Sequence, residues 1–259
     1  MAKLRGLFLI IFLILIGVSY FNMNSYKSVD SIQSEVLQAP VETPIVNGEP
    51  IKFIKDGYNY TLTPIYDYTL NGLVLHQQKY DAWYSISRTD KTFIKDICAI
   101  WGNTLKDGSY RDGSVSVTQD SRWCWWSYTN SNLIFNPNEI SNNHLIASSP
   151  SVERQILSID GGDQIRIIGK LVNVHAEAIG KTSQYENGAA DWHTSTTRDD
   201  TGAGACEIIY VESIEILQKG NEIFHLLFSI GWYGLLVCLF WIIIEFFVNT
   251  TRLSSIGKN

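Results

Sequence analysis

The chain reads as a mainly β domain, an OB-like barrel or a β-sandwich, with one transmembrane helix at each end. Three observations predict this. Two long apolar runs stand at opposite ends, Gly6 to Phe21 and Ile223 to Val248. Between them, β-branched and aromatic residues are broken often by Gly, Asn, Asp and Ser, the composition of strands and turns. Two stretches there alternate apolar and polar residues with period two, Gln164 to His175 and Glu207 to Leu217, as half-buried strands do.

A helix crosses a bilayer with about 20 apolar residues. The second run holds an uncharged stretch of 19 residues, Leu226 to Ile244. The first is slightly short, and its basic start (Lys3, Arg5) also describes a secretory signal peptide. Beyond Gly17-Val18-Ser19 no small-x-small cleavage site follows it, so an uncleaved signal anchor over 6–21 is the expectation. With no cysteine after it, a lipoprotein anchor is excluded. Lys3, Arg5, Arg252 and Lys258 flank the outer ends of the runs, and Lys27 and Lys219 the inner ends. This imbalance predicts cytoplasmic termini (1–5 and 249–259), a second helix at 223–248 and an extracytoplasmic middle. The localisation expected is the cell membrane, the inner one in a two-membrane host. Gly231 and Gly234 are spaced by three, unlike the four of a close-packing dimer motif. Glu245 lies near the inner end, within reach of headgroups.

Residues 22–50 carry Ser, Asn, Gln and prolines at 40, 44 and 50 with no sustained period, and read as a linker. The β domain is expected over 51–220. It opens on IKFIKDGYNYTLTP, a hairpin signature around Asp56-Gly57. Strands are predicted at Tyr66 to His76, Cys98 to Trp101, Trp123 to Tyr128, Gln164 to His175 (kinked at Gly169) and Glu207 to Leu217 (with a bulge midway), and short helices at Lys79 to Tyr84 and Ser151 to Ile159. A long kinked strand, a loop-rich insert and a closing strand resemble the later part of an OB-type barrel, over about 55 residues.

From Met23 to Glu222 there are 16 Lys and Arg against 25 Asp and Glu, a net of 16 − 25 = −9. Such a surface repels nucleic-acid phosphates and anionic headgroups. It suits cations, basic peptides and neutral glycans. Cys98, Cys124 and Cys206 lie in the exported part; an oxidising compartment allows one disulfide among them, and the sequence does not choose the pair. The absence of C-x-x-C argues against thioredoxin-like and zinc-knuckle motifs. No cofactor is implied.

The segments YDYTLNGLVLH, DICAIWGN, RWCWW, NNHLI, GDQIRIIGKLV and STTRDDTGAGACEIIYVESIEIL, in that order, resemble a group of uncharacterised, often membrane-anchored bacterial proteins with an exported β domain. The similarity spans Tyr66 to Leu217. The resemblance implies a shared fold and brings no reaction and no functional residue.

The densest polar constellation is Asp191 to Cys206, DWHTSTTRDDTGAGAC. Asp199 and Asp200 are candidate oxygen ligands for a cation. His193 with Cys206 or Ser195 is a candidate base and nucleophile pair. The same residues also make an ordinary β–β loop, with Asp199 and Asp200 capping turns, Arg198 pairing locally, and Gly202 and Gly204 supplying positive φ; that is the expectation. His144 can pair with His193 across the fold, while His76 and His175 fall near strand ends. No H-x-H or H-x-x-x-H spacing seeds a metal site. Trp83, Trp101, Trp123, Trp125, Trp126 and Trp192 supply core material. They also supply candidate stacking surfaces: Trp123, Trp125 and Trp192, with Arg122 and Arg198 nearby, form the candidate ligand platform for a sugar or a peptide.

The function expected is a membrane-anchored binding or protein-interaction module of the bacterial envelope, with an envelope protein or a glycan as partner. An envelope-directed hydrolase using the Asp191–Cys206 loop and a small accessory subunit of a membrane complex are the alternatives.

Overall fold

A computed structural model describes residues 2–80, 93–120, 122–133, 135–180, 186–200, 202 and 204–256. In chain order the first elements are helix α1 (Ala2–Asn22) and strands β1 (Val41–Pro44), β2 (Ile51–Lys55), β3 (Tyr58–Lys79) and β4 (Lys95–Ile100). Next come the short helix α2 (Asn103–Lys106), strands β5 (Val115–Asp120), β6 (Trp123–Tyr128) and β7 (Ile140–Ala147), and helix α3 (Pro150–Leu157). Strands β8 (Gln164–Ala178), β9 (Ala189–Trp192) and β10 (Glu207–Gln218) and helix α4 (Glu222–Ile256) complete the order. They form two units, one of 1–25 with 221–259, the other of 26–220.

The first unit is an antiparallel helix pair. Both helices are long and apolar enough to cross a membrane, over Leu4–Asn22 and Glu222–Val248. Gly231 and Gly234 lie against Phe12 and Ile16; a Cβ on Gly234 would overlap the Phe12 ring. Their spacing of three therefore still serves close approach, the use membrane helices make of small residues. Glu245 pairs with Arg5 instead of standing alone at the headgroups.

The second unit is mainly β. The Asp56-Gly57 turn has positive φ at both residues (50° and 84°), as a two-residue hairpin of the favoured hand requires, and β2 pairs β3 in the expected register. Among the described residues five strands pair in a cycle: β3 with β4, β4 with β7, β7 with β10, β10 with β8, and β8 with β3. Of these five pairs only β7 with β10 is parallel; α3 and β8 lie between them in sequence. β1 and β2 extend the sheet along β3, and β9 along β8. β5 and β6 form a separate hairpin.

One apolar cluster fills the cycle: Leu70, Ile97, Ala99, Leu145, Ile165, Ile167, Ile209 and Val211, with Val152 and Ile156 of α3. Ser149 caps α3, accepting from the Val152 N–H, and Pro150 opens the helix, both favoured there. At the other end of α3, the fully buried Lys95 donates to the Ile156 and Ile159 carbonyls, satisfying helix-end acceptors. Burial, then Lys79, pull its pKa down to about 7.

The linker reading of 22–50 is corrected. Tyr26, Val29 and Val36 are buried in a second cluster with Cys98, Ile100, Leu105, Val115 and Val117, and β1 lies within the segment. Three apolar side chains in a polar stretch give no period, yet they bury as well as any strand residue. The helix expected over Lys79 to Tyr84 is not formed at Lys79, which ends β3; residues 81–84, with Trp83, lie outside the described ones. The helix at 151–159 and the midway bulge of β10, between Val211 and Ser213, are present.

At Gly169 β8 comes close against β10: a Cβ there would run into the Tyr210 carbonyl. Backbone cannot yield as a side-chain tip does, so Gly169→Ala should destabilise the β unit by on the order of 3 kcal/mol. Urea unfolding of the detergent-solubilised chain, followed by tryptophan fluorescence, measures this.

Candidate functional site

The alternation of β4, β7 and β10 sends their residues to two sides. Ile97, Ala99, Leu145, Ile209 and Val211 point into the core. Asp96, Cys98, Asn142 and His144 therefore share the opposite face. The β5–β6 hairpin lies over that face, tied to β4 by a Cys98–Cys124 disulfide. The sequence left the pairing open among three cysteines; Cys206 is the thiol left free in this unit.

Beside the hairpin is a cleft of about 400 Å³. Trp123, Trp125 and Trp126 form one wall, Ile140, Ser141 and Asn142 the floor, and Arg198, Asp199, Asp200, Cys206 and Glu207 the opposite wall. Most of the sequence-derived candidates thus meet in one place. Trp125 is 55% exposed, with its indole N–H donated to Asp120 at 2.9 Å. Trp126 packs on Phe135.

The opposite wall is held by Arg198. Its guanidinium pairs with Glu42 and Glu207, donates to the Tyr68 hydroxyl and stacks on Tyr68 and Trp101. Glu207 is only 2% exposed, and its second carboxylate oxygen is buried with no hydrogen-bond partner among the described residues. Ser195 is buried and donates to Asp200 at 2.7 Å, closing a turn. The lining carries one cation, Arg198, against three carboxylates, Asp199, Asp200 and Glu207; the cleft is acidic.

Other candidates lie apart. Trp192 meets the Phe93 ring edge-on at 5.8 Å, and Arg122 stacks over Phe93 at 4.5 Å and Tyr80 at 5.4 Å. Neither lines the cleft. His193 is exposed. His175 pairs with Asp191 at 2.7 Å across β8 and β9. Among the described residues no three of His, Cys, Asp and Glu gather in a metal-holding group.

A buried histidine, His144, does not itself line the cleft. Its Nδ1 lies 2.7 Å from Asp96 Oδ2, directly across from it on β4. Asp96 also accepts from the Tyr80 hydroxyl. Asn142, two residues before His144 on the same face, donates to the Cys206 sulfur at 3.3 Å and to the Arg122 carbonyl at 2.6 Å. Burial, the largest influence, pulls the His144 pKa down. The charge and hydrogen bond of Asp96, followed by Cys206, outweigh it and push the value up to about 9.

Compared with known proteins, the chain matches no family model, no curated protein and no solved structure.

Two measurements probe this wall. Arg198→Ala would leave Glu207 buried and uncompensated, at a cost on the order of 3 kcal/mol; Arg198→Ala with Glu207→Gln should recover most of it, both read as urea midpoints. The second concerns pH. His144 binds its proton more tightly folded (about 9) than unfolded (6.5). Its contribution is therefore complete below pH 6.5 and lost as the pH rises through about 9. Lys95, lowered from 10.5 to about 7, acts oppositely: stability gains as the pH rises through that window. In Lys95→Met, stability should fall from pH 6.5 to 9; in His144→Gln it should rise above pH 7.

Proposed function

We propose that this protein is a membrane-anchored, extracytoplasmic OB-type domain that binds a basic peptide segment of an envelope protein in the cleft beside the β5–β6 hairpin. The strand order β3-β4-β7-β10-β8, the parallel β7–β10 pair and a helix between β7 and β8 agree with the five-stranded Greek-key barrel of that class. In such barrels the face of the second and third strands and the neighbouring loops carry the ligand. Here those strands are β4 and β7, and the loop between the fourth and fifth is the Asp191–Cys206 segment.

The observation that carries the reading is the coincidence of the cleft with that face. Three tryptophans offer apolar and cation–π contact, and Asp199 and Asp200 offer acceptors to a lysine or arginine. The disulfide suits an oxidising compartment, and the flanking basic residues suit cytoplasmic ends. Binding of this kind requires no catalysis.

The test is a tryptophan-fluorescence titration of the full chain in mild detergent, with lysine- and arginine-bearing peptides, acidic peptides and neutral oligosaccharides. Basic peptides should bind, the affinity should fall with salt, and Trp125→Ala should weaken it about tenfold. Saturable binding of oligosaccharides alone would move the reading to a glycan module, and no response to any of them would reject the cleft as a ligand site.

A further inference from the structure

We propose that the cleft selects arginine over lysine: a guanidinium lies on the indole face of Trp125, which Asp120 holds in place, and donates to Asp199 and Asp200 across the cleft. The inference rests on the binding reading of the cleft and names the side chain that reading leaves open.

The aromatic wall is braced from within the hairpin. Trp123 and Trp125 lie two apart on β6 and so share one side of it. Their ring centres are 5.9 Å apart and their planes tilted by 32°. Asp120 on β5 stands directly opposite Trp123, diagonal to Trp125, a spacing that long side chains span. It accepts the Trp125 indole N–H at 2.9 Å. That bond fixes the indole by its edge, while the side chain stays 55% exposed. A partner that covers the ring therefore buries apolar area, and the indole gives up no hydrogen bond. Trp126, by contrast, is stacked with Tyr128 and packs on Phe135, and backs the wall.

The opposite wall supplies the charge. Asp199 and Asp200 are exposed and line the cleft. The Ser195 hydroxyl, itself only 4% exposed, donates to Asp200 at 2.7 Å and sets that carboxylate in position. Arg198, the cation next to them in the chain, is committed to Glu42 and Glu207 and does not neutralise the pair.

Charge alone does not choose between the two basic side chains; planarity does. A guanidinium stacks flat on an aromatic face while its N–H groups point outward to carboxylates. An ammonium is a compact, strongly hydrated point charge that must shed water to sit on an indole. Arg198 already shows the arrangement within the same wall. Its guanidinium lies 5.6 Å from the ring centres of Tyr68 and Trp101 and pairs with two carboxylates. The cleft volume of about 400 Å³ is toward the small end of ligand pockets, which fits side chains of an extended segment and not a folded surface.

The test titrates the full chain in mild detergent, by calorimetry at one ionic strength. The probes are capped oligopeptides of equal length made of arginine, of lysine, and of citrulline, the neutral planar analogue of arginine. The arginine peptide should bind roughly tenfold tighter than the lysine peptide. The citrulline peptide should bind more weakly than either, since shape without charge leaves Asp199 and Asp200 unanswered. Trp125→Leu keeps apolar bulk and should bring the arginine-to-lysine ratio close to one. Asp120→Ala should cut the ratio severalfold. Asp120→Asn, whose side-chain oxygen still accepts the indole N–H, should restore it; a merely structural role would weaken both peptides together and leave the ratio unmoved. The ratio in the unaltered chain needs no variant, so poor folding of a variant does not shelter the proposal. Equal affinities, or a ratio that survives Trp125→Leu, would overturn the arginine assignment and leave the basic-peptide reading standing. Citrulline binding as tightly as arginine would sink the carboxylate half and the proposal with it. No binding of either basic peptide would reject both readings together.

Discussion

The ladder between β3 and β8 is the constraint on which the β unit depends. It runs from Tyr58 opposite Ala178 to Leu73 opposite Gln164, and both strands also serve other neighbours. β3 passes on to β4, and β8 passes to β10. A strand that pairs on both edges along its length must bend and twist, and the register shift between Pro64 and Tyr66 and the close approach at Gly169 are where it does so. Once this ladder closes the cycle, the inward residues have nowhere to go but one shared core. Their alternate neighbours on β4 and β7 must face outward, and there the cleft is built.

That outward face is not a solvent face. The hairpin, the early segment around Tyr26 and Val36, and the Asp191–Cys206 loop cover parts of it. Covering polar residues makes each of them answerable for its partners. Asp96 is met by His144 and Tyr80, Glu207 by Arg198, and Asn142 by Arg122 and Cys206. Electrostatic effects strengthen in such surroundings, which is why one histidine here is held charged.

Much of this was legible in the chain. The two apolar runs, the Asp56-Gly57 hairpin, the long β8 and the bulged β10 followed from period and turn chemistry. β7 did not, because Ser141, Asn142, Asn143 and His144 hide its apolar alternation behind polar residues that find partners only in the folded state. β5 (VSVTQD) alternated visibly and was missed because it lies among turns. For the site, the tryptophans, Arg198 and Cys206 were found as types and their convergence was not. A partner for Cys206 or Ser195 was sought in His193 on the same loop, but the fold leaves His193 exposed and outside the cleft and brings Asn142, 64 positions away, onto the Cys206 sulfur. Local proximity in sequence is a poor guide where a parallel pair joins distant strands.

The disulfide has a consequence for when the cleft exists. Cys124 is both a cleft residue and the hairpin's covalent tie to β4. While both cysteines are reduced, the tryptophan wall is held by non-covalent contacts, among them the packing of Val115 and Val117 and the hydrogen bonds of Asn142 to Gln119 and to the Arg122 carbonyl. Oxidation fastens it, and across a loop of 26 residues such a link contributes about 3 kcal/mol. Fastening of the tryptophan wall is thereby coupled to the redox state of its surroundings, and a chain whose two cysteines are reduced carries the parts of the cleft without the fastened wall.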